Sequence, residues 1–446
     1  MHAICERVII HTMKFTSTRN KSIEKSFSEV ITDCMPPDGG LYVPVGNTDL
    51  RKWILYTNEG TSFASIAGAL TSACINDEYS PIICETIATL AFPFEPKLKQ
   101  IDKNIFMLEL YHGPTGCHRD FGVSYLTACL DTILTMMGKK SVFLDVTTGE
   151  HGCILARELR GKKNLKSVLV YPKGCVRGLS EEDLAWNGGN IYPVEVDGTV
   201  DDCHALVRAI FEDRELVEKY RLTVSNTANI GRLLPQAFFY TYAFSRLKNK
   251  VSADIYYALA PGNYSNLVAG LYSWRLSLPV NGFIVPSTDS LAADPMGRPL
   301  IVDSMVPIAE REKADPADPS NLERLEDFFS EYSAMIKSFV YPSHITDGEA
   351  QGASKELFIK YGVFADYHTG RAYAAYKKSE DLVTDDDGAV VLVARDHPSY
   401  SLPYFRHTIG EEPEMVSKVS EVMKPVELKR PLIKTTKEII KILSSL

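Results

Sequence analysis

The sequence predicts an α/β fold built on open, mostly parallel sheets. Short apolar runs that are typical of strands, such as residues 105–110, 141–146 and 167–171, alternate with longer stretches that have the apolar spacing of helices. Strands that alternate with helices pair in parallel, and helices then cover both faces of the sheet. Ligands bind beyond the carboxyl ends of such strands, so the glycine-rich turns that follow them are candidate binding loops.

Composition excludes several classes of function. The chain has 446 residues, enough for two or three domains, and its 57 acidic residues outnumber the 48 basic ones. No basic stripe interleaved with aromatic residues is present, so nucleic acid is not expected as a partner. No apolar run approaches the ~18 residues of a membrane span, so no membrane partner is expected, and the apolar run in residues 1–12 is too short for a signal peptide.

Cysteine usage points to a reducing compartment. None of the nine cysteines forms a Cys-x2-Cys pair, so neither a disulfide framework nor a zinc site is expected. We therefore expect reduced thiols and a cytoplasmic location.

A small α+β domain is predicted for residues 1–90. The segment Pro37-Asp38-Gly39-Gly40 predicts a turn ahead of a short strand, because proline and glycine favour turn conformations. Two stretches with helical apolar spacing follow, at residues 62–74 and 82–91. The remaining residues, 91–446, carry the alternating strands and helices and are predicted to form the core.

Three glycine-containing loops of the core are placed to bind a ligand. Residues 112–122 lie between a predicted strand and the helix that starts near Asp120, residues 147–152 follow a second strand, and residues 261–266 follow a third. Glycine lets the backbone approach a ligand closely, and a helix start favours anions. These loops are therefore the candidate functional site.

Further elements are predicted toward the C-terminus. Residues 289–318, rich in proline, aspartate and scattered charge, are predicted to form an excursion or lid over the pocket mouth. Ser320 and Glu323 have the spacing of a capping box that starts a helix. The stretch from Glu411 is predicted to be an amphipathic packing helix. Its apolar face is predicted to carry Ile433, Ile440 and Leu443.

Several motifs resemble those of threonine synthases. His112-Gly113-Pro114-Thr115, followed after three residues by Arg119-Asp120, is similar to the family's cofactor-lysine segment, in which His-Gly-Pro-Thr precedes Lys-Asp. The other similar segments, in the order expected for the family, are residues 14–44, 147–152, 225–236, 261–266, 319–324, 366–369 and 397–398. The resemblance thus covers nearly the whole chain.

The resemblance implies a fold, a cofactor and an activity. Threonine synthases are pyridoxal phosphate enzymes of the tryptophan synthase β-like fold, and they convert O-phospho-L-homoserine and water into L-threonine and phosphate. For this chain the resemblance implies a two-lobed core, with the smaller lobe at about residues 115–225 and the larger lobe in the remainder. It also implies pyridoxal phosphate as the cofactor and a small anionic or phosphorylated molecule as the ligand.

The resemblance assigns roles to two groups of residues. The cofactor-binding residues that it implies are Gly262, Asn263, Tyr264, Ser265 and Asn266 around the phosphate, and Arg395 near the pyridine nitrogen. The substrate-binding or anion-binding residues that it implies are Thr147, Thr148, Gly149, Glu150, His151, Gly152, Asn226 and Arg232.

Arg119 occupies the position of the family's catalytic lysine. That lysine forms a Schiff base with the cofactor and moves protons, which requires an amine that can lose its proton. A guanidinium stays protonated because its pKa lies above about 12, so we expect position 119 not to be catalytically competent and covalent attachment of pyridoxal phosphate to be absent. Two roles are open for Arg119: it binds a substrate anion, or it forms an ion pair with Glu150.

Other positions also depart from the family pattern. Glu150 and His151 replace smaller residues of the substrate loop, and Glu150 adds a carboxylate that repels an anionic substrate. Arg395 places a fixed cation where the family has threonine, and Tyr400 stands where a lysine is usual. Ser265 replaces the second glycine of the phosphate turn. Together these changes indicate a pocket that has changed its task.

Three functions are open from the sequence. The leading prediction is a threonine synthase-like protein that lacks ordinary Schiff-base catalysis, keeps an anion-binding pocket, and serves a ligand-sensing role or a protein partner. The second is a functional threonine synthase that tolerates Arg119. The third is a metal-dependent hydrolase in which a set of histidines binds the metal and Glu150 and His151 form the hydrolytic pair. Those histidines are His112, His118, His151, His368 and His397.

Overall fold

The computed structural model describes residues 13–46, 48–75, 77–179, 189–383 and 387–446. The leader considered above, residues 1–12, lies outside that part of the chain. Within the described ranges no helix is long and apolar enough to cross a membrane.

The N-terminal part combines a two-stranded sheet with short helices. Strand β1 (Lys14–Ser17) pairs antiparallel with β2 (Tyr42–Val45). The helices are α1 (Phe27–Asp33), α2 (Arg51–Tyr56), α3 (Phe63–Ile75) and α4 (Pro81–Ala91). A capping box between Ser26 and Glu29 starts α1, and a proline in the first turn starts α4, where no N–H is needed.

The core follows the alternating pattern that the sequence predicts. In chain order its strands are β3 (Lys97–Gln100), β4 (Ile105–Glu109), β5 (Ser141–Val146), β6 (Leu165–Pro172), β7 (Ile191–Val196), β8 (Leu222–Thr223), β9 (Ile255–Ala258), β10 (Gly282–Pro286), β11 (Leu291–Ala293), β12 (Pro299–Ile301), β13 (Val340–Ser343), β14 (Ala389–Ala394) and β15 (Leu432–Ile433). Its helices are α5 (Arg119–Met137), α6 (Glu150–Glu158), α7 (Val200–Glu212), α8 (Arg214–Tyr220), α9 (Ile230–Leu233), α10 (Pro235–Leu247), α11 (Ser265–Arg275), α12 (Leu322–Glu331), α13 (Ile336–Phe339), α14 (Asp347–Tyr361), α15 (Tyr367–Lys377), α16 (Leu402–Thr408), α17 (Ser417–Met423) and α18 (Thr436–Ser444).

Most of these strands belong to a larger and a smaller sheet. The larger sheet has the order β13-β10-β9-β14-β4-β3, and each neighbouring pair is parallel except β3 with β4. The smaller sheet has the order β15-β7-β6-β5-β8 and is parallel throughout. Every residue of β14 is buried, as expected for a strand that is covered on both faces. The predicted α/β fold with mostly parallel sheets and a small N-terminal α+β part is confirmed.

The order of three central strands brings the candidate loops together. β9, β14 and β4 are neighbours and run parallel, so their carboxyl ends meet at one edge of the larger sheet. The loop before α5 follows β4, the turn before α11 follows β9, and Arg395 follows β14 directly. In the smaller sheet the neighbours β5 and β8 are followed by residues 147–149 and 224–229.

The prediction of a capping box between Ser320 and Glu323 was wrong. Asn321 precedes α12 without a side-chain cap, and Glu323 does not reach back to Ser320. Its carboxylate instead accepts a hydrogen bond from Thr18 and forms an ion pair with Arg19 at 3.0 Å. The Glu323 carboxylate therefore pairs with Arg19 of the N-terminal part instead of capping α12.

The prediction of one amphipathic helix from Glu411 to the C-terminus was also wrong. The stretch from Glu411 contains α17, β15 and α18, and Ile433 lies in β15, where it pairs with β7. Pro425 and Pro431 separate these elements, because proline cannot continue a helix. On α18 the buried residues are Ile439 and Leu443 rather than Ile440.

The segment 289–318 contains the hairpin β11–β12 and short 3₁₀ turns. It lies against two other parts of the chain, because Ala314 N–H donates to Gly39 O at 2.8 Å and Asn226 Nδ2 donates to Pro316 O at 2.7 Å. A lid function for this segment stays a prediction.

Arg324 is fully buried and joins three parts of the chain. Its guanidinium donates to Tyr42 O at 2.9 Å, Ala228 O at 2.8 Å, Asn321 Oδ1 at 2.6 Å and also to Thr227 O. The N-terminal sheet, the segment after β8 and the start of α12 thus share one cation. Burial lowers the pKa of Arg324 to about 10, which still leaves it protonated at neutral pH.

Arg324→Met is expected to lower the free energy of unfolding by at least ~2 kcal/mol, because buried carbonyl groups lose their donor. Denaturant unfolding followed by circular dichroism measures the change. The matched control is Arg406→Met, since the Arg406 side chain is 71% exposed in its ion pair with Glu412 and its loss should cost under ~0.5 kcal/mol. Equal effects of the two substitutions would contradict the joining role.

Candidate functional site

The loop between β4 and α5 is held by its own backbone and by Asp120. The buried Asp120 carboxylate accepts hydrogen bonds from Thr115 N–H and Thr115 Oγ1, both at 2.9 Å. Cys117 forms an isolated antiparallel bridge with Asp396, and His118 N–H donates to Arg395 O at 2.9 Å. The end of β14 therefore fixes the loop, and α5 begins at Arg119.

Arg119 forms an ion pair with Glu150, which begins α6 in the segment after β5. Arg119 Nη1 lies 3.0 Å from Glu150 Oε1 and 3.3 Å from Cys117 Sγ. The pKa of Arg119 is raised by the neighbouring Cys117, Asp396 and Glu150, so the guanidinium keeps its proton. The side chains of Arg119 and Glu150 are 39% and 36% exposed, so a ligand can still reach them. The ion pair is one of the two predicted roles for Arg119, and the other role, binding of a substrate anion, stays a prediction.

His118 and Asp396 form a second close pair at the same place, with Nδ1 and Oδ1 2.8 Å apart. Burial lowers the pKa of His118 to about 4 despite the nearby carboxylate, and the charges of Arg119 and Arg395 contribute. Burial would raise the pKa of Asp396, but His118, Arg119 and Arg395 outweigh it and hold the pKa well below its usual range. At neutral pH we therefore assign an ionised Asp396 that accepts a hydrogen bond from a neutral His118.

The predicted substrate loop after β5 uses part of its own backbone donors. Thr147 is buried, and its Oγ1 accepts from Gly149 N–H at 3.2 Å and from Gly152 N–H at 3.0 Å. Thr148 is exposed. The Thr147 hydroxyl thus accepts hydrogen bonds from two backbone amides of the predicted anion-binding loop.

His151 is held by a chain of hydrogen bonds. Ser225 Oγ donates to Asp145 Oδ2 at 2.8 Å, and Ser225 N–H donates to Asp145 Oδ1 at 3.0 Å. Because the single hydroxyl proton goes to Asp145, Ser225 Oγ accepts from His151 Nε2, which lies 2.7 Å away. This arrangement places a proton on His151 Nε2, so the lone pair of the neutral tautomer is on Nδ1.

The predicted phosphate turn, 262–266, is shaped by two left-handed residues. Gly262 has φ of 53° and Tyr264 has φ of 66°, and helix α11 begins at Ser265. The Tyr264 hydroxyl lies 2.6 Å from Thr288 Oγ1. The turn thereby delivers the start of an 11-residue helix, whose first N–H groups have no partner within the helix.

The asparagine side chains of this turn contact protein rather than the space in front of it. Asn263 Nδ2 donates to Thr227 Oγ1 at 3.0 Å and to Pro319 O at 3.1 Å. Asn266 Nδ2 donates to Gln236 Oε1 at 3.2 Å, and Asn266 Oδ1 accepts from Tyr240 at 2.7 Å. Two of the turn's own N–H groups are also used, because Ser265 N–H donates to Asn263 Oδ1 at 3.3 Å and Tyr264 N–H donates to Pro261 O at 2.7 Å. The amides of Asn266 and Leu267 therefore remain for an anion, whereas the asparagine side chains hold the turn in place.

Two arginines of the site have no hydrogen-bond acceptor within the described part of the chain. Arg232 is 4% exposed, its Nε has no hydrogen-bond partner, and its guanidinium occupies the space in front of Gly122, one helical turn after Arg119. Burial lowers the pKa of Arg232 to about 10, and the charge of Arg119 acts in the same direction. Arg395 also has a buried Nε without a partner. Among the described residues, these two guanidinium groups are thus not held by a hydrogen-bonded protein acceptor.

Asn226, the remaining predicted site residue, faces the excursion. Its Nδ2 donates to Pro316 O, and its Oδ1 accepts from Ala228 N–H at 2.9 Å. Its amide is therefore already satisfied by protein groups.

The five histidines do not converge on one point. His112 pairs with Glu109 at 2.8 Å, His397 contacts Ser399, and His151 contacts Ser225. Among the described residues, the group of three side chains that could hold a metal consists of Cys117, His118 and Asp396, and it contains only one of the five histidines. The geometry therefore does not assemble the predicted hydrolytic metal centre.

Sequence reasoning missed several residues of the site. Asp145 and Ser225 were not assigned roles, although an aspartate within the apolar strand 141–146 is a signal of a buried polar contact. Lys418 was also missed, and its Nζ donates to Tyr111 O at 2.9 Å and Gly113 O at 3.0 Å. No sequence signal connects Lys418 with a loop 300 residues away.

Comparison with known proteins bears on the whole chain. The family model described as the threonine synthase N terminus matches residues 14–91, and the one described as pyridoxal-phosphate dependent enzyme matches residues 89–396. The threonine synthase of Buchnera aphidicola subsp. Baizongia pistaciae is 30% identical over 373 residues, which are 82% of this chain and 85% of that one. The chain belongs to the threonine synthase family.

Other members of the family are similar over almost their full length. The threonine synthase of Escherichia coli K12 is 28% identical over 414 residues, 92% of this chain and 94% of that one. The crystal structure of Escherichia coli threonine synthase superposes with a TM-score of 0.77 at 25% identity and covers 97% of this chain and 99% of that one. The pyridoxal phosphate-bound threonine synthase from Brucella melitensis has the same fold, with a TM-score of 0.79 at 21% identity over 97% of this chain and 99% of that one.

Pyridoxal phosphate is the cofactor of this family, and the residues of this member fit one part of it. The turn 262–266 at the start of α11 suits a phosphate group. The position of covalent attachment does not fit, because Arg119 offers no amine that loses its proton and is paired with Glu150.

The imidazole of His118 is expected to stay neutral down to about pH 5, with a titration midpoint at a pKa of about 4. Because the pKa is lowered, the C2 proton resonance in an NMR pH titration should hold its neutral position at pH 6, and His118→Asn identifies the signal. A midpoint near the ordinary value of 6.5 would contradict the lowering of this pKa by burial and by the charges of Arg119 and Arg395.

Proposed function

We propose that this member of the threonine synthase family has lost ordinary Schiff-base catalysis and keeps a pocket for a phosphorylated or otherwise anionic ligand. The observation that carries the proposal is Arg119, which begins α5 at the position of the family's lysine and pairs with Glu150 at 3.0 Å. An arginine does not lose its proton near neutral pH, so it neither forms a Schiff base nor moves protons between carbon atoms.

Nearby lysines do not offer a ready replacement. Lys173, which directly follows β6, is exposed. The Lys418 amine is bound to the backbone oxygens of Tyr111 and Gly113, and burial lowers its pKa. Lys418 would have to leave both oxygens before it could react with an aldehyde.

The uncompensated arginines support an anionic ligand. A buried guanidinium without an acceptor is unfavourable, and an anion that binds beside it removes that cost. Arg232 is such a group, and Arg395 has a buried Nε without a partner, whereas Arg119 is already paired with Glu150. A protein that binds this ligand without converting it is suited to ligand sensing or to presenting a ligand-dependent surface to a protein partner.

A functional threonine synthase is the second candidate, and His151 favours it. The contacts with Ser225 and Asp145 leave a lone pair on Nδ1, so His151 offers a base in the loop that faces Arg119. Phosphate release from O-phospho-L-homoserine by the unmodified chain, abolished in His151→Gln, would decide for this candidate.

Incubation with pyridoxal phosphate and reduction with borohydride is expected to leave no pyridoxyl-lysine in the pocket, because Arg119 has no amine to label. Peptide mass analysis reads the result. Modification of Lys418, or of any other lysine in the pocket, would show that covalent attachment has moved rather than disappeared.

Arg119→Lys is expected to restore covalent attachment but not threonine formation. The substitution supplies an amine, whereas Glu150, His151, Arg395 and Tyr400 still differ from the family, and a misplacement of about 1 Å alone can cost roughly 100-fold in rate. Labelling at position 119 and phosphate release from O-phospho-L-homoserine measure the two effects. Arg119→Gln is the control, since it removes the charge without adding an amine. Turnover by Arg119→Lys at a rate typical of enzymes would show that the other four positions are harmless.

A further inference from the structure

Arg395 and the predicted phosphate turn lie at the same level along the strands of the larger sheet. In the parallel pair of β14 and β9, Leu392 lies opposite Ala258. Arg395 comes three residues after Leu392, and the turn that begins at Pro261 comes three residues after Ala258. The strand register therefore places Arg395 beside this turn before any side-chain contact is considered.

The guanidinium of Arg395 lies against the backbone of Gly262. A Cβ atom on Gly262 would come within 3.2 Å of Arg395 Nη1. Gly262 also has a left-handed φ of 53°, which a residue with a side chain rarely adopts. Arg395 thus fills space that a side chain at position 262 would take, and it brings a cation to the first residue of the turn.

The charge of Arg395 has no acceptor among the described residues. Its Nε is buried without a hydrogen-bond partner, and no ion pair or hydrogen bond holds the rest of its guanidinium. The adjacent carboxylate of Asp396 is paired with His118. A partly buried arginine beside a helix start, without a protein partner among the described residues, is suited to bind an anion.

A second arginine, Arg232, lies one helical turn from a residue that contacts the same helix start. Arg232 is only 4% exposed. It precedes Gln236 by four residues, so the two side chains lie on one face of the nearly continuous helices α9 and α10. Gln236 Oε1 accepts hydrogen bonds from Asn266 Nδ2 at 3.2 Å and Ser265 Oγ at 3.4 Å. Arg232 therefore lies one helical turn from a residue that touches the start of α11, and it fills the space in front of Gly122 on α5.

We propose that Arg395 clamps a phosphate monoester group against the turn 262–266, with Arg232 adding charge from the side of α9. The inference rests on the proposed anion-binding function and names its ligand class and the arginine that selects it. A guanidinium presents paired N–H donors that suit the oxygens of a phosphate dianion, and the N–H groups at the start of α11 supply the remaining contacts. This assignment differs from the position near the pyridine nitrogen that the family resemblance implies for residue 395.

The clamp explains how a phosphorylated ligand is retained without a covalent bond. In the family the lysine tethers the cofactor, and here the phosphate end carries an additional cation instead. Affinity then resides in the phosphate, so the same molecule without its phosphate should bind weakly. The phosphate can belong to a pyridoxal-type ligand or to a small phosphorylated metabolite, since the turn and Arg395 contact only that group.

Calorimetric titration of the full chain with inorganic phosphate, pyridoxal phosphate and pyridoxal tests the proposal. Arg395→Gln is expected to raise the Kd for inorganic phosphate and for pyridoxal phosphate by about 10-fold to 100-fold, as expected for the loss of a charge-assisted pair of hydrogen bonds. Arg395→Lys should recover part of the loss, because it restores the charge without the paired geometry. Binding of pyridoxal should be weak in the unmodified chain and unchanged by either substitution.

Two controls separate this inference from the proposed function. Arg406→Gln removes an exposed arginine and should leave all three affinities unchanged. Circular dichroism and the melting temperature first confirm that Arg395→Gln is folded. If Arg232→Gln then weakens phosphate binding and Arg395→Gln does not, the proposed anion pocket is supported but the role of Arg395 is overturned. If the unmodified chain binds neither inorganic phosphate nor pyridoxal phosphate, both the inference and the anion-binding function fall. Equal affinity for pyridoxal and pyridoxal phosphate would also overturn the clamp.

Discussion

The parallel pairing of β4, β14 and β9 is the constraint on which the site depends. Because the three strands are neighbours and run in one direction, the loop with Arg119, the pair Arg395-Asp396 and the turn 262–266 must meet at one edge. Cross-links between these segments then fix their positions, as in the bridge between Cys117 and Asp396. Any residue placed just after β14 is forced into the space between the other two loops.

The strand order explains why an arginine at position 395 changes the electrostatics of the site. A small residue after β14 would leave the edge neutral, whereas Arg395 adds a cation beside Gly262, and its charge contributes to the low pKa values of His118 and Asp396. Arg119 adds a second cation on the side of β4, and Glu150 from the other sheet neutralises it. This ion pair thus links the starts of α5 and α6, which follow strands of two different sheets.

The sequence predicts the sheets and the three loops well, because alternating apolar runs and glycine-rich turns are local signals. It does not predict the partners of polar side chains. The amides of Asn263 and Asn266 look available for phosphate in the sequence, yet they bind Thr227, Pro319 and Gln236, which come from distant segments. Glu323 has the spacing of a cap but pairs with Arg19 about 300 residues earlier. By contrast, the break in the C-terminal helix could have been predicted from Pro425 and Pro431 alone.

A crystal structure of the chain soaked with pyridoxal phosphate tests the central claim most directly. The account predicts a phosphate group between Arg395 and the backbone of residues 262–266, with no continuous density from the ligand to a lysine Nζ. Continuous density from the ligand's aldehyde carbon to Lys418 or to another lysine would contradict it, because the pocket would then have kept covalent attachment by a different residue.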